Sequence, residues 1–293
     1  MSNVNHRGVP PGFDGPRACG LYDLAPLLDN ANLVMRVLNV PPGMSVVRPN
    51  IGFDWAHVFN HENLDNIRLV SHNGHVVSSV GIFPGEIRTP RGTISVGGIN
   101  CFATNPDYRR RGLGEAVLLD AHEKMRANGN HIGLLCTTIE GYYRRFGWEY
   151  GGVRLEFVLD RGNIELLPEI PEGIEVTEDW RSYSAGLKAI HDRESTVTLR
   201  SQELFELLFE RKMDRVFVAI KTRPIAYVGV RANGIREYGG DTEVTTALAR
   251  LAFEELDDPS ISASTYVPGD DPTFEMTVNT PQATTGLPGI LVN

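Results

Sequence analysis

The stretch "NPDYRRRGLGEAVLLDAHEKM", residues 105–125, sets Arg109, Arg110 and Arg111 directly against Gly112 and Gly114. Adjacent like charges repel, and glycine weakens a helix interior, so both features need an offsetting cause. From there on, Leu113, Val117, Ala121 and Met125 share one i+4 stripe and Gly129 is a natural stop, which predicts a helix opening at the glycines. Residues 100–104, "NCFAT", read as a strand feeding the turn. The first N–H groups of such a helix lack internal partners and carry the positive end of its macrodipole. Glycines let that backbone approach a ligand closely, and the arginines add charge. The unit suits a pyrophosphate or a similar anion. A solvated basic patch over a plain turn is the competing reading for R-x-x-G-x-G taken alone. There is no G-x-x-x-x-G-K-[ST], and no G-x-G-x-x-G after the first strand.

Outward from this unit, "LYDLAPLLDNANLVMRVL" (21–38) has helical spacing, with Asp23 as a plausible cap. "IRLVSHNGHVVSSVGIF" (67–83) predicts a hairpin about Asn73-Gly74. A second hairpin is expected to turn at Pro90-Arg91-Gly92, with Gly97-Gly98 marking a bulge or splay in its returning strand. "HIGLLCTT" (131–138) is a short apolar strand, and "EGYYRRFGWEYGG" (140–152) a short helix running into another. The order is helix, four strands, helix, strand, helix, strand, which is a mixed α/β (α+β) domain. Residues 1–15 are expected to be a flexible N-terminus. Pro168 and Pro171 mark a boundary, giving expected domains at 16–165 and 172–293.

The chain has 293 residues, 41% hydrophobic and 22% charged, values of an ordinary globular protein. A formal net charge of −9 argues against nucleic acid as a partner. It leans weakly towards a polycationic substrate, although such charge often serves only solubility. Cys19, Cys101 and Cys136 form no C-x-x-C pair, which excludes a cysteine zinc cluster and fits a reducing compartment. Cys101 and Cys136 sit in apolar strand patterns and are expected to be buried thiols. The eight histidines show no paired ligand spacing, so no metal is expected. No apolar run nears the ~18 residues of a membrane span, and no secretory signal is evident, so a cytoplasmic location is the default expectation.

"FATNPDYRRRGLG" resembles motif A of the GNAT superfamily of N-acetyltransferases, whose R/Q-x-x-G-x-G/A loop wraps the pyrophosphate of coenzyme A. Arg109, Gly112 and Gly114 stand at the named positions, and "GYYRRFGWE" resembles the family's second signature. The resemblance implies a GNAT fold with a splayed central sheet, and acetyl-CoA as cosubstrate. Main-chain groups of Phe102, Ala103 and Thr104 would bind the pantetheine arm, and those of Arg109, Arg110, Arg111, Gly112, Leu113 and Gly114 the pyrophosphate. Thr138 and Ile139 would line the acyl end. Tyr143 matches the family's general acid, a phenol able to protonate the departing thiolate; a packed aromatic is the plainer reading. The implied reaction is direct attack by a small-molecule or peptide amine within a ternary complex.

Many family members carry a Glu in the strand before motif A; "TISVGGINCFA" (93–103) has none. Glu86, Glu140, a water chain or a carboxylate from elsewhere remain open as the base. "IREYGGDTEVTTALARLAFEEL" (235–256) repeats the strand, glycine turn and helix without arginines, and Asp241 can cap that helix. The second half therefore reads as a degenerate GNAT-like domain that does not bind coenzyme A; an unrelated α/β domain is the alternative. The tandem is similar to the mycobacterial enhanced-intracellular-survival acetyltransferases. In those a third domain brings a C-terminal carboxylate to the active site. No such domain is expected here, and whether Asn293 substitutes is left open. A non-catalytic acyl-CoA sensor and a scaffold are the rival functions, and a homo-oligomer is possible.

Overall fold

In the computed structural model the described residues are 8–38, 50–137, 139–232, 234–256, 259–267 and 289–292. Strand β1 (Phe13–Ala18) pairs antiparallel with β2 (Ile67–His72), and Phe13 packs its ring on His72 at 4.6 Å. Residues 13–15 are thus anchored in the sheet, although the sequence places them in a flexible N-terminus; the Gly and Pro content hid a strand that owes its stability to a distant partner. Helix α1 (Leu24–Leu38) and the one-turn α2 (Ile51–Asp54) follow β1 in the chain. Asn73 and Gly74 take φ of 51° and 78°, the left-handed pair of a two-residue type I′ turn, so His72 faces His75 where β2 meets β3 (His75–Thr89).

β3 runs unbroken to Thr89, so the two expected hairpins share one long strand. β4 (Gly92–Thr104) pairs along it from Thr89↔Gly92 to Ser78↔Thr104. Gly97 and Gly98 hold regular register with Pro84 and Phe83 and mark no bulge. The absent side chain at Gly97 makes room for the Met125 thioether of helix α3 (Leu113–Ala127). The bulge lies at Cys101, whose φ is +47°, where the register with β3 shifts between Ser79 and Gly81. β5 (Ile132–Thr137) runs parallel to β4, paired only from Val96↔Ile132 to Gly98↔Leu134. Beyond that point the two strands part.

Helix α4 (Glu140–Arg144) leads into β6 (Glu149–Asp160), and Trp148 between them is fully buried. The second half contributes β7 (Glu175–Thr177), α5 (Ser184–His191), β8 (Val197–Thr198), α6 (Gln202–Lys212), β9 (Arg215–Ile220), β10 (Pro224–Arg231), β11 (Gly234–Gly240), α7 (Thr242–Leu256) and β12 (Ser260–Val267). Its order of β9, β10, β11, α7, β12 repeats that of β2, β3, β4, α3, β5: antiparallel neighbours, then a helical crossover to a parallel strand. A last strand, β13 (Gly289–Val292), returns to the first sheet and inserts between β5 and β6, antiparallel to both. The expected second domain of 172–293 therefore does not hold its last strand.

Each sheet is covered on both faces. α3 packs Leu113, Val117, Leu118 and Ala121 on one face of the first sheet, while Leu27, Ala31 and Val34 of α1 cover the other. In the second sheet α7 and the pair α5–α6 take the same places, with Leu248 and Phe253 on one side and Leu187, Phe205 and Phe209 on the other. The halves are joined by β6 pairing with β12, by β8 pairing with β3, and by an ion pair of 2.6 Å from Arg231 to the buried Asp54. No described helix is long and apolar enough to cross a membrane.

Candidate active site

The parting of β4 from β5 leaves the stretch around Phe102–Thr104 without a pairing to β5. An extended ligand can pair with a free strand edge through main-chain groups alone. Ala103 is buried, the Thr104 hydroxyl is hydrogen-bonded to that of Ser78 at 2.9 Å, and Phe102 stacks near Tyr142 and Tyr143 at ring separations of 5.9 and 6.2 Å. The chain then makes one 3-10 turn, Pro106–Tyr108, opened by the Asn105 side chain accepting from the Asp107 N–H at 3.0 Å.

Arg110 and Gly112 both take left-handed φ, 61° and 80°, and bend the backbone tightly round the start of α3. Such bends gather N–H groups into an anion-binding concavity. The helix N-cap is Gly112 itself, with no side-chain cap. Arg109 donates to the Thr104 carbonyl at 3.3 Å, Arg111 to that of Asp107 at 3.3 Å, and Arg111 lies over the Tyr108 ring. Among the described residues none of the three arginines forms an ion pair with a carboxylate. Leu113 points into the core, so only its main chain faces this end. At Gly114 an added Cβ would stand 3.1 Å from Thr104 Oγ1 and 3.2 Å from both Phe102 Cζ and the Tyr142 hydroxyl. Glycine is needed there because strand, helix and α4 converge on it.

Tyr143 is 6% exposed, packed edge-on against Tyr142 and Trp148, and its burial pushes the phenol up to about 12. It is a proton donor across the whole neutral range. Tyr142 was not singled out by the sequence; its hydroxyl beside Gly114 is the structural reason to include it, and the doubled "YY" was the only available signal. Arg145 stacks over Tyr142 and Phe146, both at 4.6 Å. Ile139 is exposed and donates its N–H to Thr137 Oγ1 at 3.1 Å. Thr138 lies outside the described residues.

Of the open base assignments, Glu86 lines a separate recess of about 510 Å³ with Ser95 and Asn130. The side chain of Glu140 and all of Asn293 lie outside the described residues; Val292 pairs opposite Leu134, so β13 runs towards the start of β5. Cys136 is exposed, against expectation, because it sits at the parting end of β5. Cys101 is half-buried with its thiol pushed up to about 12 by desolvation, which keeps it protonated. No group of three or more metal-ligating side chains occurs among the described residues.

In the second half, Asp241 Oδ1 accepts the Val244 N–H at 3.1 Å and caps α7. A carboxylate stands where α3 presents only glycine backbone.

The family model that matches is described as an acetyltransferase (GNAT) domain and covers residues 31–151. Among curated proteins no sequence matches the chain. A probable N-acyltransferase from Enterococcus faecalis is similar in structure, with TM-score 0.69 at 15% identity over 94% of this chain and 71% of that one. Eis1 from Mycobacterium abscessus gives TM-score 0.57 at 16% identity, covering 87% and 67%. A tandem GNAT protein from the clavulanic acid biosynthesis pathway gives TM-score 0.57 at 15% identity and matches end to end, covering 96% and 97%. Residues 31–151 thus match the model of an acetyltransferase (GNAT) domain, and the chain as a whole is similar in fold to the tandem GNAT protein.

Proposed function

We propose that the protein is an N-acetyltransferase that moves an acetyl group from acetyl-CoA to a small-molecule or peptide amine by direct attack in a ternary complex. The observation that carries the reading is the uncapped start of α3, beside three arginines that have no carboxylate partner among the described residues, and continuous with the part of β4 that has left β5. The fit is chemical. The helix end supplies N–H donors and positive potential for a pyrophosphate, and the open strand edge supplies amide groups for an amide-bearing arm.

In this reading the main chain of Phe102, Ala103 and Thr104 holds the pantetheine arm. The main chain from Arg109 to Gly114 holds the pyrophosphate, and Thr138 and Ile139 border the acyl end. The amine nitrogen attacks the thioester carbonyl, the C–S bond breaks, the thiolate takes the Tyr143 proton, and the proton shed by the new amide nitrogen restores the phenol. With the Cys101 thiol protonated, an acyl-cysteine route is disfavoured. Because β4 contains no carboxylate, the amine is taken up as its free base, and kcat/KM climbs with pH towards the amine's own pKa. Residues 16–165 with the returned strand β13 form the working unit. The rest of the second half is a degenerate GNAT-like unit whose Asp241 occupies the anion end.

The missing strand carboxylate also favours a second reading, a non-catalytic acyl-CoA sensor. Calorimetry with acetyl-CoA, followed by thiol release with a panel of amines, separates the two. One site per chain with turnover supports the enzyme, one site without turnover the sensor, and no binding overturns both.

A further inference from the structure

The two halves enclose a cleft of about 620 Å³ that neither motif predicts. Its first wall is α2, which presents Asp54 and Trp55; its second is formed by the end of α6 and by β10 and β11. Four cationic side chains, Arg200, Lys212, Arg231 and Arg236, line it against three carboxylates, Asp54, Asp214 and Glu237. The cleft is therefore net positive inside a chain of net charge −9.

The carboxylates are already engaged. Asp54 holds Arg231 at 2.6 Å and accepts the Asn50 N–H at 3.0 Å. Glu237 holds Arg200 at 2.7 Å and accepts from the Tyr227 hydroxyl at 3.3 Å. Asp214 accepts the Ala232 N–H at 2.8 Å. Lys212 is left over. Its ammonium sits 3.8 Å from the centre of the Trp55 ring, at the C-terminal end of α6, and among the described residues no carboxylate lies within ion-pair distance of it. A ring face and a helix end favour a cation but do not neutralise it. Its partial burial disfavours the charge and lowers its pKa to about 8, so an arriving anion would be met by a poorly solvated ammonium.

The cleft also lies close to the β4 segment along which the cofactor arm is proposed to run. Trp55 and Cys101 pack against the same core cluster, and Cys101 is the bulge residue immediately before Phe102. Lys212 and Cys101 are near enough for each to bias the other's titration.

We propose that this cleft is the acceptor site and that Lys212 anchors a carboxylate or phosphate of the acceptor, so the substrate class is a small amine that also carries an anionic group. The proposal rests on the acetyl-transfer reading for the amine and on the cleft's own geometry for the anion. It departs from the polycation that net charge alone suggests, since that charge is not carried into the cleft.

The test has one arm independent of turnover. Tryptophan fluorescence of the full chain, where Trp55 reports on its neighbour, is titrated with succinate and separately with inorganic phosphate. A saturable change with either anion, weakened about tenfold in Lys212→Met and retained in Lys212→Arg, is expected; the stronger of the two identifies the anion's chemistry. Equal affinity in wild type and Lys212→Met, or no response to either anion, overturns the site. The second arm compares 4-aminobutyrate with butylamine under saturating acetyl-CoA. Lys212→Met should raise KM for 4-aminobutyrate about tenfold and KM for butylamine by much less, so that the preference between the two amines collapses. Equal use of both amines by wild type overturns the substrate class. Absence of thiol release with every amine instead defeats the acetyl-transfer reading, while the fluorescence arm still decides the anion site.

Discussion

The start of α3 and the start of α7 are the same piece of architecture closed in two ways. Each follows a bulged strand, with Cys101 the extra residue in β4 and Arg236 the extra one in β11, and each helix crosses over to a parallel strand. At α3 the cap is Gly112 with left-handed φ, no side chain satisfies the first N–H groups, and three arginines stand outside. At α7 the Asp241 carboxylate satisfies the Val244 N–H, and residues 235–242 hold a single arginine, Arg236. An internal cap stabilises the helix and fills the end that an external anion would need. One copy keeps its orphan donors for a ligand, and the other spends them on its own fold.

The sharpest way to break this comparison is Gly114→Glu. The new side chain meets Thr104, Phe102 and Tyr142 and adds a second carboxylate beside Glu115 at the start of α3, where the pyrophosphate would sit. Calorimetry should show one acetyl-CoA site per chain in wild type and a loss of about 100-fold or more in affinity in the variant. A melting curve serves as the check that the variant folds. Two sites in wild type would sink the contrast outright. Next in size is Tyr143→Phe. Acetyl-CoA affinity should stand while kcat falls by about 100-fold, the usual scale for a lost general acid. Because the phenol titrates only near 12, the wild-type rate should show no alkaline loss from this group below about pH 11. An unchanged kcat in the variant would leave Tyr143 as packing against Trp148.

Much of this was legible in the sequence where the cause is local. Asn73-Gly74 dictates its own turn, the i+4 stripe of α3 needs no partner to be seen, and Asp241 sits three residues from the N–H it caps. What escaped is set by distant contacts. Gly97-Gly98 marks the last pairs before β4 leaves β5, the splay of the two readings, with Met125 lying against Gly97, while the bulge falls on Cys101, a residue type that gives no hint of φ +47°. The return of β13 beside β5 pairs Gly289 with Thr137, and nothing near either residue announces the other. The cleft is the extreme case, since Trp55 and Lys212 stand far apart in the chain and meet only when the halves are brought together.

The helices differ in a second respect that pH can probe. α3 buries His122, whose Nε2 accepts the Trp148 indole N–H at 2.9 Å, whereas the buried residues described in α7 are all apolar. Burial holds His122 down to about 4, so the folded state keeps it neutral while the unfolded chain binds a proton near pH 6.5. Its contribution is complete above about 6.5 and is lost as pH falls towards 4, and the drop between pH 7 and 5 amounts to about 2 kcal/mol. Hydrogen exchange should therefore show α3 and β6 losing protection at pH 5 ahead of α7. His122→Gln, which keeps an acceptor for the indole without titrating, should flatten that dependence. Equal acid loosening of both helices would remove the distinction.

The smallest expected effect asks how deep the degeneracy of the second half runs. Asp241→Ala frees the Val244 N–H and should cost about 1 kcal/mol, seen as a melting point lower by a few degrees. Acetyl-CoA stoichiometry should remain one. Removing the carboxylate restores the orphan donors, but it adds no arginines, and the left-handed bend falls on Gly240, one residue before the cap, with φ +110° and no room for a Cβ against Ile225 and Ala226. A second site appearing in this variant would mean that one carboxylate alone separates the two copies. Its absence would place the difference in the arginine loop as well, where α3 gathers positive charge that α7 never had.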